Sequence, residues 1–434
     1  MKKENFFFTV VIPIYNSETY LKKTINSVLT QIKNDLQLIL VNDNSTDNSL
    51  KICREFKNKN KNKNIIIINN KKNLGPGKSR NIGIEKAKGK YICYLDSDDF
   101  LISNTLKKIK KKIIKNNYPS VILNNIIRGN KTKDNSYLLN FFNSKTYDRE
   151  SFIKKLIKNK IHINECWNII IHKSIYKNDI EFPKTRLAED NVYVTEVILK
   201  MRNILINKEK FIYHTTRINS LKHLINFNAV HSYLFLLNRY RDLMRIYKKN
   251  SLFKKYINSR IETAFKYLKV YIYLLKSNDI LKLYKLQKNY LFYVYKIFKL
   301  KFKTNKITQK KYFQEIKKFQ ITFEEKLNKI LFLNKKKNYK INIFCIDYIG
   351  KSAIKYFDER SAKINKIIDE DKNLEGNLIM GKKIYLLSKI NKKDLRNSFN
   401  LICHQNLEVF KNFKNKLRKL KVNKKNIIHF KVLN

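Results

Sequence analysis

The sequence predicts an α/β protein whose first part is a mostly parallel sheet with helices on both faces. Two observations support this class. Apolar strand-like runs alternate with helical patterns over the first hundred residues, and these runs are continuous, as in strands buried on both sides. Half of the eight glycines lie between residues 75 and 89 and all four prolines precede residue 184, so tight turns are concentrated in this part.

The predicted elements follow in a regular order. They are the strand FFFTVVIPIY, the helix SETYLKKTINSVLTQ with Ser17 as its N-cap, the strand LQLILVND, the helix STDNSLKICREFKN, the strand NIIIINN, the loop and helix GPGKSRNIGIEKAKG, and the strand KYICYLDSDD. Parallel sheets bind ligands beyond the carboxyl ends of their strands. Tyr15, Asp43 and the stretch 96–99 all fall at such ends.

The rest of the chain changes character twice. From about residue 222 the patterns become helical, aromatic and rich in lysine, and we expect three or four amphipathic helices there. From about residue 338 a second, smaller alternation of strands and helices begins. The predicted domains are therefore 1–221, a basic α-helical region at 222–337 and a small α/β domain at 338–434.

The chain is very basic, with 93 Lys and Arg against 35 Asp and Glu, a formal charge of +58. Such a charge attracts nucleic acid, anionic lipid or phosphorylated substrates, or it reflects compositional drift toward lysine. Only 14 of the basic residues are Arg, which weighs against base-reading. The five scattered cysteines lack a CxxC motif and indicate reduced thiols in a cytoplasmic protein. Neither a signal peptide nor a transmembrane run is expected.

Three carboxylates end the fourth apolar run, at Asp96, Asp98 and Asp99. In extended chain, Asp96 and Asp98 point to the same side, so both can face one ligand. Oxygen ligands of this kind suit Mg²⁺ or Mn²⁺, which bind through one or two carboxylates and substrate phosphates. The alternative is a loop or helix-capping function for Asp98 and Asp99.

Ordered segments of the first hundred residues carry a family resemblance. The segments VVIPIYNSETYLKKTINSVLTQ, LILVNDNSTDNS and NLGPGKSRNIGIEKAKGKYICYLDSDDFL are similar to family 2 glycosyltransferases with the GT-A fold. The resemblance covers about residues 6–105. It implies a metal-dependent transfer of a sugar from a nucleoside diphosphate donor, with inversion at the anomeric carbon.

The resemblance implies a base pocket at the first two strand ends. Pro13 and Tyr15 would line it, with Tyr15 stacking on uracil or another base, and Asp43 would accept a hydrogen bond from the base. The block around Asp43 is commonly Asp-Asp-Gly-Ser in the family, whereas Asn42 and Asn44 replace its first and third residues here. Ordinary packing is the alternative for Tyr15.

The resemblance also implies the phosphate side of the donor site. Arg80 would touch the nucleotide or its phosphates, Asp96 would hold the ribose, and Asp98 would ligate the Mn²⁺ or Mg²⁺ that bridges the diphosphate. The alternative for Arg80 is a structural ion pair with Asp96 or Glu85.

On the acceptor side, the segment TRLAEDNVYVTEVILK matches the place where the family carries a Glu-Asp pair. The resemblance implies that Asp190 is the general base, with Glu189 in support. Trp167 would offer a stacking surface to the acceptor or fill the core, and His214 and Arg217 are candidates to reach the acceptor or the diphosphate. Glu189 and Asp190 could alternatively serve only as first-turn charges of a helix.

The segment NIFCIDYIGKSAI resembles Rossmann-type modules of bacterial polysaccharide-biosynthesis proteins. Of the three expected glycines only Gly350 is present, because Cys345 and Asp347 occupy the first two positions. Side chains there block close approach of a pyrophosphate, so we expect a degenerate module without nucleotide binding.

These features favour a cytoplasmic glycosyltransferase that acts on a surface-glycan or lipid-linked acceptor. Lysine-rich helices would give it peripheral contact with the anionic inner face of the cell membrane. The alternative is a basic nucleic-acid-binding protein or a non-catalytic scaffold. No nucleic-acid-binding motif is recognised, so no specific nucleic acid is expected as a partner.

Overall fold

A computed structural model gives the architecture of the chain. The structure describes residues 6–31, 35–128, 139–178, 180–185, 187–215, 227–273, 340–344, 364–370, 382–396, 398–402, 407–423 and 427–429, with short pieces at 330–331, 354, 357, 375–376 and 378–379. The chain divides into two compact units. The first contains Met1–Thr216 and Phe235–Ala264, and the second contains Arg217–Leu234 and Phe265–Asn434. The three-domain division drawn from the sequence stays a prediction.

The first half of unit 1 has the predicted alternation. Its elements are β1 (Phe6–Ile14), α1 (Glu18–Leu29), β2 (Leu36–Asn42), α2 (Ser49–Lys59), β3 (Asn64–Asn69), α3 (Pro76–Glu85) and β4 (Gly89–Tyr94). β1 lies between β2 and β4, and β2 also pairs with β3, all in parallel. The carboxyl ends of β1, β2 and β4 therefore meet at one edge of the sheet.

The second half of unit 1 completes a mixed sheet. Its elements are β5 (Phe100–Leu101), α4 (Thr105–Lys115), β6 (Val121–Arg128), β7 (Thr146–Asp148), α5 (Arg149–Lys158), β8 (Ile169–His172), α6 (Glu189–Lys200) and β9 (Asn203–His214). Among the described residues the strand order is β3-β2-β1-β4-β8-β6-β9-β5, with β7 beside β9. β8 runs antiparallel to both β4 and β6. The sheet is thus mostly parallel near the predicted site and mixed beyond it.

Two glycines allow close packing in this unit. A Cβ at Gly83 would lie 2.4 Å from Cγ1 of Val11, so the glycine lets α3 approach β1 closely. A Cβ at Gly89 would lie 2.5 Å from the backbone nitrogen of Thr9. On one side of the sheet, the apolar faces of α1, α2 and α4 share a core with strand residues such as Leu38.

The start of α1 differs from the sequence prediction. Ser17 occupies the N-cap position, but its side chain makes no capping hydrogen bond. The N–H of Glu18 donates instead to Oδ2 of Asp47 at 3.0 Å, and the N–H of Asn48 donates to Oε2 of Glu18 at 3.0 Å. The adjacent ends of α1 and α2 therefore cap each other, which frees the Ser17 hydroxyl for another contact.

The predicted helical region is confirmed where the structure describes it. α7 (Phe227–Ile246) and α8 (Ser251–Tyr273) are long helices. In unit 1, Arg239 of α7 pairs with Glu196 of α6 at 2.7 Å, and Arg260 of α8 donates to Oγ1 of Thr195 at 3.1 Å. The rest of the predicted helical region up to residue 337 lies outside the described residues, apart from 330–331. None of the helices described in the chain is long and apolar enough to cross a membrane.

Unit 2 contains a separate small sheet. Its described elements are β10 (Lys340–Phe344), β11 (Ile364–Asp369), β12 (Leu378–Ile379), β13 (Lys382–Leu386), α9 (Lys392–Arg396), β14 (Ser398–Ile402), α10 (Leu407–Lys419) and β15 (Ile427–His429). The strand order is β12-β13-β11-β10-β14-β15, and only the β12–β13 pairing is antiparallel within this part. The second strand-helix alternation is therefore confirmed. Cys345, Asp347 and Gly350 lie outside the described residues, so the degenerate Rossmann-like reading stays a prediction.

Candidate active site

The carboxyl ends of the parallel strands bring the predicted donor-side residues together at one edge of the sheet. The loop after β1 carries Tyr15 and Ser17, and the loop after β4 carries Asp96–Asp99. The hydroxyls of Ser17 and Ser97 lie 2.6 Å apart, so a hydrogen bond joins the two loops directly. Ser17 therefore links the loops at this edge of the sheet.

Asp43 at the end of β2 is buried and holds the loop that precedes α3. Its Oδ1 accepts hydrogen bonds from Nδ2 of Asn70 at 2.8 Å and from the N–H of Leu74 at 2.9 Å, and its Oδ2 accepts from the N–H of Gly75 at 2.8 Å. Pro13 belongs to β1 beside Val41 of β2. By contrast Tyr15 is 48% exposed, so its ring is available to a ligand.

The carboxylates that follow β4 form a compact acidic group. Oxygen atoms of Asp96, Asp98 and Asp99 lie within 4.8 Å of one another. The N-cap position of α4 is Asn104, so neither Asp98 nor Asp99 occupies it. Carboxylate oxygens at this spacing fit a hard divalent cation such as Mn²⁺ or Mg²⁺.

Within this group Asp99 has a different environment from its neighbours. It is fully buried, and its carboxylate accepts a hydrogen bond from the N–H of Thr215 at 2.8 Å and lies 2.9 Å from Nδ1 of His214. Burial raises the pKa of the Asp99 carboxyl, and its contacts with His214 oppose that rise. Asp99 thus fixes His214, at the end of β9, beside the acidic group.

Arg80 of α3 lies at the centre of the site and is 3% exposed. Its Nη2 contacts Oδ1 of Asp96 at 2.7 Å, and its Nη1 contacts both Oε1 of Glu189 and Oδ1 of Asp190 at 3.0 Å. The guanidinium therefore joins the acidic loop after β4 to the first turn of α6. The expectation that Arg80 contacts the nucleotide stays a prediction, and the ion pair with Asp96 that the sequence left open as an alternative is present.

Glu189 and Asp190 begin α6 after Ala188, which adopts a left-handed conformation with φ 58°. Burial, followed by the charge of Asp190, raises the pKa of Glu189 from 4.5 to about 7, although Arg80 opposes the rise. The Asp190 side chain is 19% exposed against 9% for Glu189, and its Oδ2 accepts from the N–H of Cys166 at 3.2 Å. The pair thus combines a buried carboxyl with a raised pKa and a more accessible carboxylate.

The remaining predicted residues differ in their placement. Trp167 is 2% exposed, belongs to the core and stacks on His214 with ring centroids 4.7 Å apart. This packing favours the core alternative for Trp167 over a surface offered to the acceptor. Arg217 lies outside the described residues.

The sequence did not indicate one group of aromatic side chains that lies beside Arg80. The hydroxyls of Tyr94, Tyr176 and Tyr193 hydrogen-bond to one another at 2.5–2.8 Å, and the ring of Phe182 stacks on Tyr193. Phe182 also lies under the guanidinium of Arg80, and Cζ of Arg80 is 5.2 Å from the centroid of the Phe182 ring. These residues come from separate elements, so no local spacing in the sequence could indicate that they support Arg80.

Part of the chain is similar to known proteins. Residues 9–179 match glycosyl transferase family 2. The chain is 27% identical over 213 residues to glycosyltransferase GlyA of Streptococcus pneumoniae, covering 47% of this chain and 30% of that protein. It is 27% identical over 215 residues to the poly(ribitol-phosphate) beta-N-acetylglucosaminyltransferase TarS of Staphylococcus aureus, covering 48% and 35%. It is 31% identical over 222 residues to the minor teichoic acid biosynthesis protein GgaB of Bacillus subtilis, covering 50% and 24%.

The chain spans about a quarter to a third of the length of these curated relatives. Among solved structures, S. aureus TarS 1-349 in complex with UDP-GlcNAc aligns with a TM-score of 0.49 at 21% identity, covering 61% of this chain and 81% of that one. The mannosyltransferase PcManGT from Pyrobaculum calidifontis with GDP-Man and Mn²⁺ aligns with a TM-score of 0.44 at 12% identity, covering 61% and 71%. The match to glycosyl transferase family 2 covers residues 9–179, which is less than half of the chain.

Proposed function

We propose that this chain, whose residues 9–179 form a family 2 glycosyltransferase domain, transfers a sugar with inversion from a uridine diphosphate sugar to a hydroxyl group of a surface-glycan or lipid-linked acceptor. The observation that carries the proposal is the contact of Arg80 with carboxylates from two sides. Asp96 belongs to the acidic loop after β4, and Asp190 belongs to the first turn of α6. The names of the relatives, which include teichoic acid and poly(ribitol-phosphate) enzymes, support a polymer acceptor.

On the donor side, Tyr15 would stack on the base, with Pro13 beside it and Asp43 within reach of the base N–H. Asp96 would hold the ribose. A Mn²⁺ or Mg²⁺ ion held by Asp98 would neutralise the negative charge that develops on the leaving diphosphate. Asp99 would keep His214 oriented toward the same region through the contact at Nδ1.

On the acceptor side, Asp190 would remove the proton from the attacking hydroxyl. The acceptor oxygen then forms a bond to the anomeric carbon, the bond from that carbon to the diphosphate oxygen breaks, and the proton remains on Asp190. Glu189, whose burial raises its pKa to about 7, would hold a proton and so limit repulsion between the paired carboxyls. Arg80 would position Asp190 through the contact at 3.0 Å.

Donor hydrolysis tests this proposal without knowledge of the acceptor. UDP-, GDP-, CDP- and TDP-sugars are incubated with the full chain and Mn²⁺ or Mg²⁺, and release of the nucleotide is measured. We expect one donor to turn over only with metal, and Asp98→Ala to abolish that turnover. Asp242→Asn, in a carboxylate on α7 whose side chain is 41% exposed, is the matched control and should leave it unchanged.

The acceptor side needs a second variant. Asp190→Asn should bind the donor nucleotide as the native chain does, while its transfer to added acceptor falls by about 10²–10⁴-fold, as expected for loss of a general base. Failure to turn over any donor, together with an absence of metal-dependent nucleotide binding, would contradict the proposal. Turnover that survives Asp98→Ala would instead contradict the metal site.

A further inference from the structure

α4 divides its lysines between two environments. Leu106, Ile109 and Ile113 face the core of unit 1. Flanking that buried side, Lys110 contacts Asp35, and Lys112 contacts Glu209 at 2.8 Å. Acidic partners therefore compensate the lysines nearest to the protein body.

Three of the remaining four lysines form a line along the exposed side of the helix, and the fourth, Lys108, lies 3.9 Å from Glu209. Lys107, Lys111 and Lys115 follow one another at intervals of four residues, which places them on one face. All three are exposed, and no ion pair joins them to any residue that the structure describes. Within the described residues, three positive charges on one face of this helix are therefore exposed without an ion pair.

Two large apolar side chains lie next to this line. Ile114 is 46% exposed and Tyr118 is 39% exposed, and they are two of the five large hydrophobic side chains that are exposed in the described residues. Ile114 lies three residues after Lys111 on the same side of the helix, and Tyr118 follows the end of α4 at Lys115. We name Lys107, Lys111, Ile114, Lys115 and Tyr118 the α4 basic face.

The backbone after α4 holds Tyr118 in place. Asn117 and Tyr118 both adopt left-handed conformations with φ 54°, which asparagine tolerates and tyrosine rarely adopts. The N–H of Tyr118 donates to the carbonyl of Ile113 at 3.0 Å, and Nζ of Lys90 lies 3.7 Å from the centroid of the Tyr118 ring. Tyr118 is therefore a fixed aromatic side chain beside the lysines.

We propose that the α4 basic face docks the protein on the surface of an anionic lipid bilayer. Lysines reach headgroup phosphates while their aliphatic stems stay near the acyl boundary, and tyrosine suits the same interface. Ile114 provides the apolar contact that a helix lying in the headgroup region needs. An exposed isoleucine between lysines favours lipid over nucleic acid, because a phosphate backbone offers it no apolar partner.

Vesicle binding tests this proposal without any sugar donor, so its result is separate from that of the proposed function. The full chain is sedimented with vesicles of phosphatidylcholine alone or mixed with phosphatidylglycerol. Each lysine near an anionic surface contributes about fivefold to partitioning, so Lys107→Gln/Lys111→Gln/Lys115→Gln should weaken binding to the mixed vesicles on the order of 100-fold. Both the native chain and this variant should bind only weakly to vesicles of phosphatidylcholine alone.

A matched variant separates docking by this face from attraction by charge alone. Lys154→Gln/Lys158→Gln/Lys160→Gln removes three exposed lysines in and just after α5, where no large apolar side chain is exposed among the described residues. It should lower partitioning far less than the α4 variant does. Equal loss in the two variants would overturn the proposal, because the net charge would then explain binding.

A fluorescent probe reports contact by the face itself. The single tryptophan of the chain, Trp167, is 2% exposed, so it should not respond to vesicles. Ile114→Trp should shift its emission to the blue and be quenched by brominated lipid in anionic vesicles. The absence of both signals while the chain is bound would overturn the proposal, as would a response to duplex DNA and not to vesicles.

Discussion

The buried carboxyl of Glu189 predicts a pH dependence of stability. Its pKa rises from 4.5 to about 7 because of burial, so the folded protein holds this proton more tightly than the unfolded chain does. The resulting stability is fully present below pH 4.5 and is lost as the pH rises to about 7. At about 1.36 kcal/mol per pH unit, this loss amounts to about 3 kcal/mol in the free energy of unfolding.

Glu189→Gln should remove that loss. The amide oxygen can still accept from Arg80, whose Nη1 lies 3.0 Å from Oε1 of Glu189, and the amide has no proton to release. Urea unfolding of the two proteins from pH 4.5 to above pH 7 measures the difference. We expect the native chain to lose about 3 kcal/mol more than the variant over this range.

Glu150→Gln, in an exposed glutamate of the first turn of α5, is the control. Its stability should follow that of the native chain at every pH. Parallel curves for the native chain and Glu189→Gln would refute the reasoning, because they would mean that Glu189 has the same pKa in the folded and unfolded states.

Two further predictions concern the support of the site. Arg260→Met should lower the free energy of unfolding, measured with denaturant, by about 2 kcal/mol, because the buried Arg260 donates to Oγ1 of Thr195 and to the carbonyl of Asn191 in α6. The control is Arg245→Met, whose native side chain is 71% exposed and whose stability should stay within about 0.5 kcal/mol of that of the native chain. Equal losses in the two variants would contradict the argument. Gly75→Ala should lower the free energy of unfolding by about 1–3 kcal/mol in the same assay, because almost no residue except glycine adopts φ 86° and ψ 163°. An unchanged denaturant midpoint would count against this conformation.

The sequence predicts the order of elements well because that information is local. Each of the first four strands is a continuous apolar run, and such runs form buried parallel strands wherever helices can cover both faces. The ends of those runs also predict that Tyr15, Asp43 and Asp96 lie at one edge of the sheet. Neighbouring parallel strands bring their carboxyl ends together whatever the rest of the chain does.

The sequence does not predict the contacts within the site, because long-range packing determines them. Arg80 pairs with Asp96, Glu189 and Asp190, and the last two are 109 and 110 residues away along the chain. No spacing in the sequence encodes such a contact. The insertion of β8 between β4 and β6 is likewise invisible, since its four residues carry no pattern that fixes their direction.

The concentration of glycines between residues 75 and 89 has a physical explanation in the surroundings of α3. The N–H of Gly75 donates to Asp43 at 2.8 Å. A Cβ at Gly77 would lie 3.0 Å from Cγ of Glu189, and Gly83 lets the helix approach β1. Arg80 lies between Gly77 and Gly83 in the same helix. The glycines that indicate turns in the sequence thus serve mainly close packing. The same short helix contacts the proposed nucleobase pocket, the acidic loop and the proposed general base, Asp190.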